Sequence, residues 1–200
     1  MRVRPRVVSL VLLLVFAGVI AAGSALASPS SIEPFFGHFE GKAILEGDDT
    51  TTSRDLAVTI QPDGERFRID WTTVTRQADG DIKRKAYSIA FETTKRPGIF
   101  RSTMRADMFG NLVPLDPLQG DPYVWCRVAG PVLTLYSLQI TDDGGYDLQV
   151  YERTLKGEDR MSLRFTRLRE GEPPKELKAT LKRVPASPAP ASPAPQPPAQ

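Results

Sequence analysis

Aromatic residues with arginines spaced among them are the side chains best suited to bind a small molecule. Tyr123, Trp125 and Arg127 stand two residues apart, and residues at that spacing lie on one face of an extended chain. Small-molecule sites combine aromatic walls with a few polar anchors, although aromatic rings can equally fill a core. An inward arginine needs a carboxylate partner or an anionic ligand. The predicted ligand-binding set is Trp71, Tyr87, Arg101, Phe109, Tyr123, Trp125 and Arg127.

Residues for catalysis or metal binding are scarce. The chain has one histidine, His38, and one cysteine, Cys126, whereas nucleophilic catalysis needs a base beside its nucleophile and zinc needs several nitrogen or sulfur ligands. His38 shares its strand phase with Glu40 and Lys42, so we expect it to point outward. We predict no catalytic residue, no metal site and no cofactor. An enzyme that relies on Asp, Glu, Arg and Tyr alone stays open.

The elements that position these residues are predicted to be strands. Leu56, Val58 and Ile60 alternate with polar or small residues, and the stretch 65–75 has one apolar face and one charged face. This period of two is typical of half-buried strands, and Gly-, Asp- and Pro-rich turns separate the segments. The predicted strands are 35–46, 54–61, 65–75, 82–93, 98–104, 123–129, 132–141, 145–154, 160–169 and 175–184.

The connections between these strands determine the fold class. Parallel neighbours need a crossover of a dozen residues or more, and only 105–122 is long enough to hold one. The prediction is therefore an all-β, antiparallel up-and-down meander. Curling such a sheet on itself buries its apolar face and removes its edges. We expect a closed barrel, with a sandwich as the alternative.

The two ends of this meander resemble the calycins, the group of lipocalins and fatty-acid-binding proteins. In those proteins the opening strand carries Gly-x-Trp and the closing strand carries an arginine stacked over the tryptophan. Here the opening strand contains Gly37-His38-Phe39, with Phe39 at the tryptophan position, and the last strand ends Lys182-Arg183-Val184. The resemblance implies a lipocalin-like barrel closed by Arg183 over Phe39. Small haem-binding barrels of similar topology supply a histidine near the final strand. Residues 160–184 contain no histidine, which counts against haem binding.

The long connection 105–122 is the segment most suggestive of an interaction. Loops of this length usually cover a site or bind a partner. Its apolar residues need a cover, which is the barrel mouth, a ligand or another protein. Those apolar residues are Met108, Phe109, Leu112, Val113, Leu115 and Leu118.

The chain termini predict export and exclude some partners. Residues 1–27 contain a basic start, an apolar run and the small-residue triplet Ala25-Leu26-Ala27, in the order of a cleavable secretory signal. Residues 185–200 form a Pro/Ala-rich tail that we expect to be disordered. One domain, 28–184, remains. Cleavage lowers Lys+Arg from 26 to 23 against 24 Asp+Glu, so the net charge falls from +2 to −1. A nucleic-acid partner is therefore disfavoured. We expect no transmembrane anchor after cleavage, and an uncleaved anchor is the alternative, although the apolar run is slightly short for it.

Two functions follow as expectations. The first is an exported, non-catalytic carrier or sensor of a small amphipathic or lipid-like ligand. The second is a structural or interaction module of the cell envelope, with a filled barrel that docks on an envelope protein through 105–122. In either case the destination is the periplasm if the source is Gram-negative, and otherwise the extracellular space.

Overall fold

The structure is a computed structural model of the chain that describes residues 31–46, 51–77, 79–106, 112–113 and 115–185. Antiparallel strands account for most of these residues, and two short 3-10 helices cover Glu33–Phe35 and Pro117–Gln119. The strands are β1 (Gly37–Glu46), β2 (Thr51–Asp63), β3 (Arg66–Arg76), β4 (Ile82–Thr93), β5 (Ile99–Ser102), β6 (Arg105–Ala106), β7 (Leu112–Val113), β8 (Tyr123–Ala129), β9 (Val132–Ile140), β10 (Tyr146–Leu155), β11 (Arg160–Arg169) and β12 (Lys175–Val184).

A closed barrel of ten strands forms the body of the molecule, and β6 and β7 pair separately. Each barrel strand pairs with its neighbours along the chain, and β1 closes the sheet on β12. The prediction of an all-β antiparallel meander closing into a barrel is confirmed, and the sandwich alternative is wrong. All ten predicted strands are present with small shifts at their ends. The short pair β6 and β7 and the two 3-10 helices were not predicted.

Phenylalanine rings fill one end of the barrel. Phe67 lies 5.4 Å from Phe91 in a stacked arrangement and 5.0 Å from Phe100 edge to face, measured between ring centroids. Phe35 in the first 3-10 helix is fully buried and closes this end from below. Because these rings and the aliphatic residues around them exclude water, their burial supplies the main stabilisation of the barrel. We call this the phenylalanine end.

The seam between β1 and β12 contains the closure contact expected from the sequence. The Arg183 guanidinium lies 4.5 Å from the centroid of the Phe39 ring. It donates hydrogen bonds to the Glu158 carbonyl at 2.7 Å, to the Pro34 carbonyl at 3.2 Å and to the Phe36 carbonyl. Gly37 makes room for it, since a Cβ there would meet Arg183 Nη1 at 2.2 Å.

The inward face of β10 differs from the sequence interpretation. Tyr146, Leu148 and Val150 looked like its apolar face, but Asp147 and Arg153 are the buried residues of this strand. The register explains the difference, because Arg153 stands opposite Leu163 of β11, which is also buried, and directly opposed residues lie on the same face of a sheet. Polar and aromatic side chains therefore line the barrel along β10.

Candidate functional site

An arginine surrounded by aromatic rings lies inside the barrel. Arg153 is 1% exposed, and its Cζ atom lies 5.8 Å from the Trp71 ring centroid and 5.5 Å from that of Tyr151. The rings of Trp71 and Tyr151 lie 5.7 Å apart, so strands β3 and β10 approach each other across the interior. Tyr87 stacks on Trp71 at 5.0 Å, and Phe165 lies 4.8 Å from Tyr151. We call Arg153 with these four rings the arginine cage.

The guanidinium of Arg153 lacks the partners that a buried charge needs. Its Nε and Nη1 atoms are buried, and no group in the described part of the chain accepts a hydrogen bond from either. Ring faces attract a cation by about 0.5–2 kcal/mol each. Removing a charge from water in a protein costs several kcal/mol. The two rings therefore leave much of this cost uncompensated.

The pKa values of the cage follow from its burial. Burial lowers the pKa of Arg153 to about 10, which leaves the guanidinium charged at neutral pH. Burial also raises the pKa of Tyr151 to about 12, so this phenol is neutral and donates a hydrogen bond to Gln149 Oε1 at 2.9 Å. The cage thus presents one positive charge among neutral rings.

Beyond the cage, away from the phenylalanine end, the inward side chains become polar, and Lys83 and Lys85 of β4 are exposed, which marks the open end of the barrel. Asp147, 6% exposed, accepts hydrogen bonds from Arg167 Nε at 3.0 Å and from Nη2 at 2.5 Å. These bonds hold the pKa of Asp147 below its usual range. On the other side of the barrel, Arg54 of β2 shares the phase of buried Leu56 and Val58. Its Nε atom is buried without a hydrogen-bond partner among the described residues.

Two residues of the predicted ligand-binding set belong to the cage. Trp71 is buried and Tyr87 is 48% exposed, and their stacked rings lie on directly paired positions of β3 and β4. Tyr87 is exposed because the described pairing between β4 and β5 covers only Phe91, Glu92 and Thr93. These two predicted residues therefore lie side by side on the inward face of the barrel.

The other four described residues of that set lie on the outer face, which corrects their expected placement. On β8 the buried residues are Val124, Cys126 and Val128, so Tyr123, Trp125 and Arg127 point away from the interior. Trp125 stacks on Tyr136 at 4.8 Å, and Tyr123 lies 5.6 Å from Trp125.

Arg101 has the same outward placement on β5. Its neighbour Phe100 is buried, and Arg101 pairs with Glu92 at 2.6 Å between Nε and Oε1. Both faces of β5 and β8 carry large side chains, so apolar alternation alone did not decide which face is inward. The small side chains of β8 face the interior, and the larger rings of this strand stack outside.

The seventh predicted residue, Phe109, lies outside the described residues, and so do Met108, the segment 1–27 and most of the tail. Within the described part of 105–122, Leu118 is 83% exposed on the second 3-10 helix. Asp116 begins that helix, and its carboxylate accepts a hydrogen bond from the Leu118 N–H at 3.0 Å. An apolar side chain therefore stands in solvent at a defined position.

The single histidine lies on the outer face, whereas the single cysteine lies inside the barrel, within electrostatic range of Arg153. His38 is on the outer face of β1, where its Nδ1 lies 2.7 Å from Thr59 Oγ1 and its Nε2 lies 3.0 Å from Glu40 Oε1. Cys126 is buried as a free thiol, and burial raises its pKa, so it stays protonated. Among the described residues, no group of three or more His, Cys, Asp or Glu side chains is placed to hold a metal ion.

Two surface clefts also occur, and neither includes a member of the arginine cage. A cleft of about 440 Å³ lies beside the first 3-10 helix, with Ile32, Phe36 and Arg66 in its lining. A second, of about 830 Å³, lies over β1, β10, β11 and β12, with Lys42, Arg164 and Lys178 in its lining. The arginine cage is a stronger candidate for a binding site than either cleft, because it contains a buried charge. In the part of the chain that the structure covers, no helix has the length and apolarity to cross a membrane.

Sequence reasoning missed Arg153 and Arg54, although a signal for each was present. The turn 156–159 between β10 and β11 is short, so the clear apolar phase of Met161, Leu163 and Phe165 fixes the inward residues of β10. Arg54 shares the period of Leu56, Val58 and Ile60. Cross-strand register identifies Arg153, and the period of β2 itself identifies Arg54.

Comparisons with known proteins give only solved structures of low similarity. No protein-family model matches the sequence, and a search of curated proteins finds no match. Among solved structures, the crystal structure of Rv2717c from M. tuberculosis has a TM-score of 0.43 and 16% identity over 76% of this chain and 93% of that one. The S-type phycobiliprotein lyase CPES from Guillardia theta has a TM-score of 0.39 and 8% identity over 78% and 92% of the two chains.

Proposed function

We propose that this protein is an exported, non-catalytic carrier or sensor that binds a small amphipathic anion inside a calycin-like barrel. The observation that supports it is Arg153, a buried cation with two unpartnered nitrogen atoms inside a cage of aromatic rings. A carboxylate or similar acid would supply the missing acceptors, and charge-assisted hydrogen bonds of this kind are among the strongest in proteins. The apolar part of the ligand would pack on Trp71, Tyr151 and Phe165.

The cage favours binding over chemistry. Arg153 stays protonated at neutral pH and is therefore not a general base, and the only thiol, Cys126, is held protonated by burial. His38 lies on the outer face with Thr59 and Glu40 as partners. A general base beside a nucleophile, which covalent catalysis requires, is not part of the cage.

Native mass spectrometry with a fatty acid tests this proposal. The full chain is expressed in an exporting host, purified without detergent and mixed with dodecanoate. We expect one dodecanoate adduct per chain. Arg153→Met should lose it, because the thioether fills space but provides no charge. Arg127→Met is the matched control, since it removes an outward arginine of the same charge and should keep the adduct.

Two results would overturn the proposal. One is a protein that carries no co-purified small molecule and binds no dodecanoate. The other is equal loss of the adduct in both variants, which would show that overall charge and not the cage holds the acid.

Export forms part of the proposal and has its own test. The basic start, the apolar run and Ala25-Leu26-Ala27 support cleavage after Ala27. N-terminal sequencing of the exported product should give Ser28 as the first residue. A product that retains residue 1 would contradict a cleavable signal and favour an uncleaved leader.

A second candidate, the interaction module, rests on a different face. Leu118 is 83% exposed, Tyr123 is 49% exposed, and Trp125 and Tyr136 continue an aromatic surface on the outside of the barrel. Exposed apolar groups of this kind mark interaction surfaces. A photo-crosslinking residue at position 118 should then give one discrete protein adduct that Tyr123→Ser abolishes. Diffuse labelling that is unaffected by Tyr123→Ser would rule this candidate out.

A further inference from the structure

Arg54 is a second cation on the inward side of the barrel with an unsatisfied polar atom. Its Nε is buried and has no hydrogen-bond partner among the described residues. It stands opposite Ala43 of β1 and Thr75 of β3, further towards the open end than the arginine cage. The barrel therefore contains two incompletely satisfied guanidinium groups at different depths.

The inward positions at the open end of the barrel carry an excess of positive charge. Arg54, Lys83 and Lys85 share the inward phase of their strands, as does Arg167. Lys85 forms no ion pair in the described part of the chain, and Lys83 approaches only Asp81, at 3.7 Å. On the acidic side, Asp147 is neutralised by Arg167. The excess positive charge lies on the same side of the interior as Arg54.

Register gives the distance along β2 between Arg54 and the level of the arginine cage. Trp71, which contacts the Arg153 guanidinium, pairs with Val58 on β2. Arg54 is four residues before Val58, which is about 13 Å along a strand. Between them the lining is apolar or hydroxylated, with Leu56 and Thr73 on paired positions. A molecule that spans the two arginines would need an acidic group at each end and an apolar middle.

We propose that the ligand is a dianion, an elongated molecule with two acidic groups, of which one binds Arg153 and the other binds Arg54. This inference rests on the proposed function and specifies its ligand class. Arg153 alone would suit any amphipathic acid, whereas the pair selects acids with a second charge near the open end. Specificity therefore lies at Arg54, and the deeper charge supplies general affinity for acids.

Tryptophan fluorescence can compare two acids that differ in one carboxylate. Trp125→Phe removes the outer tryptophan, so Trp71 in the cage becomes the sole reporter. Dodecanoate and dodecanedioate are titrated into this variant of the full chain at neutral pH, where both acids are ionised. We expect the diacid to bind about tenfold more tightly, because the second carboxylate gains a charge-assisted contact.

Arg54→Met should remove this preference, so that both acids bind with the affinity that dodecanoate has for the parent. The matched control is Arg84→Met, which removes an outward arginine on β4 opposite Val74, one position from the partner of Arg54. It should preserve the preference. Circular dichroism of each variant establishes that the barrel is intact.

The outcomes separate the two proposals. If both acids bind equally to the parent, or if Arg54→Met weakens both equally, the dianion inference is wrong and the carrier proposal stands. If neither acid binds while the barrel is folded, the carrier proposal fails and the dianion inference fails with it. A preference for the diacid that Arg84→Met also removes would assign it to general surface charge and overturn the role of Arg54.

Discussion

Two arginines lie over aromatic rings in this barrel, and their surroundings are opposite. Arg183 at the seam donates to three backbone carbonyls while its guanidinium lies 4.5 Å from the Phe39 ring centroid. Arg153 in the cage lies near Trp71 and Tyr151, and two of its nitrogen atoms have no acceptor among the described residues. The first is satisfied by the protein itself, and the second is not.

The difference separates a structural role from a binding role. A charge whose hydrogen bonds are all made within the fold stabilises that fold. A buried charge without acceptors destabilises it and is compatible with folding only because the remaining core supplies enough free energy. Both guanidinium groups lie over aromatic rings, but replacing the two arginines should change the free energy of unfolding in opposite directions.

The largest effect is expected at the seam. Arg183→Ala should lower the free energy of unfolding by about 3 kcal/mol, because it leaves carbonyl acceptors of the first 3-10 helix and of the turn at Glu158 without a donor. Urea denaturation measures the change. Lys182→Ala, on the neighbouring exposed position, should change stability by less than about 0.5 kcal/mol. Equal effects would remove the distinction on which the comparison rests.

The cage arginine should give a change of the opposite sign. Arg153→Met is expected to raise the free energy of unfolding of the ligand-free protein by about 2 kcal/mol, since an apolar side chain replaces an unpaired buried charge. Thermal unfolding with and without dodecanoate measures it, and the acid should stabilise the parent and not the variant. A variant less stable than the parent would place Arg153 with Arg183 as a structural residue.

A smaller effect should appear on acidification at the open end. The bonds from Arg167 depress the folded-state pKa of Asp147, so its contribution is complete above the unfolded pKa, near 4, and is lost as the pH falls through the lower folded value. Asp147→Asn should cost about 1 kcal/mol at neutral pH and should flatten the stability profile below pH about 4. If the free energy of unfolding fell in parallel for parent and variant as the pH is lowered, the Asp147–Arg167 pair would contribute nothing to stability.

The barrel was predictable from the sequence because each strand has a period-two pattern of apolar residues and because the length of each turn can be seen in the sequence. Phe67, Ile69 and Trp71 identify an inward face without reference to any neighbour. The cage was not predictable in that way. Arg153 lies on a strand whose inward face is mostly polar, and its position emerges only from the pairing of β10 with β11.

The outer aromatic residues misled the sequence interpretation for a related reason. Tyr123, Trp125 and Arg127 have the composition of a binding site, but composition does not give direction, and the buried residues of β8 are the smaller Val124, Cys126 and Val128. Trp71 and Tyr87 lie on the inward face because apolar alternation, Phe67-Ile69-Trp71 on β3 and Tyr87-Ile89-Phe91 on β4, gives each strand one apolar phase. Strands with large residues on both faces are where local patterns fail.

The seam has a consequence for the kinetics of folding. Arg183 bonds to Phe36 and Pro34, which are 147 and 149 positions away in the chain, and Gly41 lets β1 approach β12 so closely that a Cβ there would meet the Thr180 carbonyl at 2.4 Å. Contacts of such long range form slowly. Until β12 docks, the sheet has two free edges, β1 and β11, and is prone to aggregate. Variants that slow this docking should therefore reduce the yield of native protein more than they reduce its final stability.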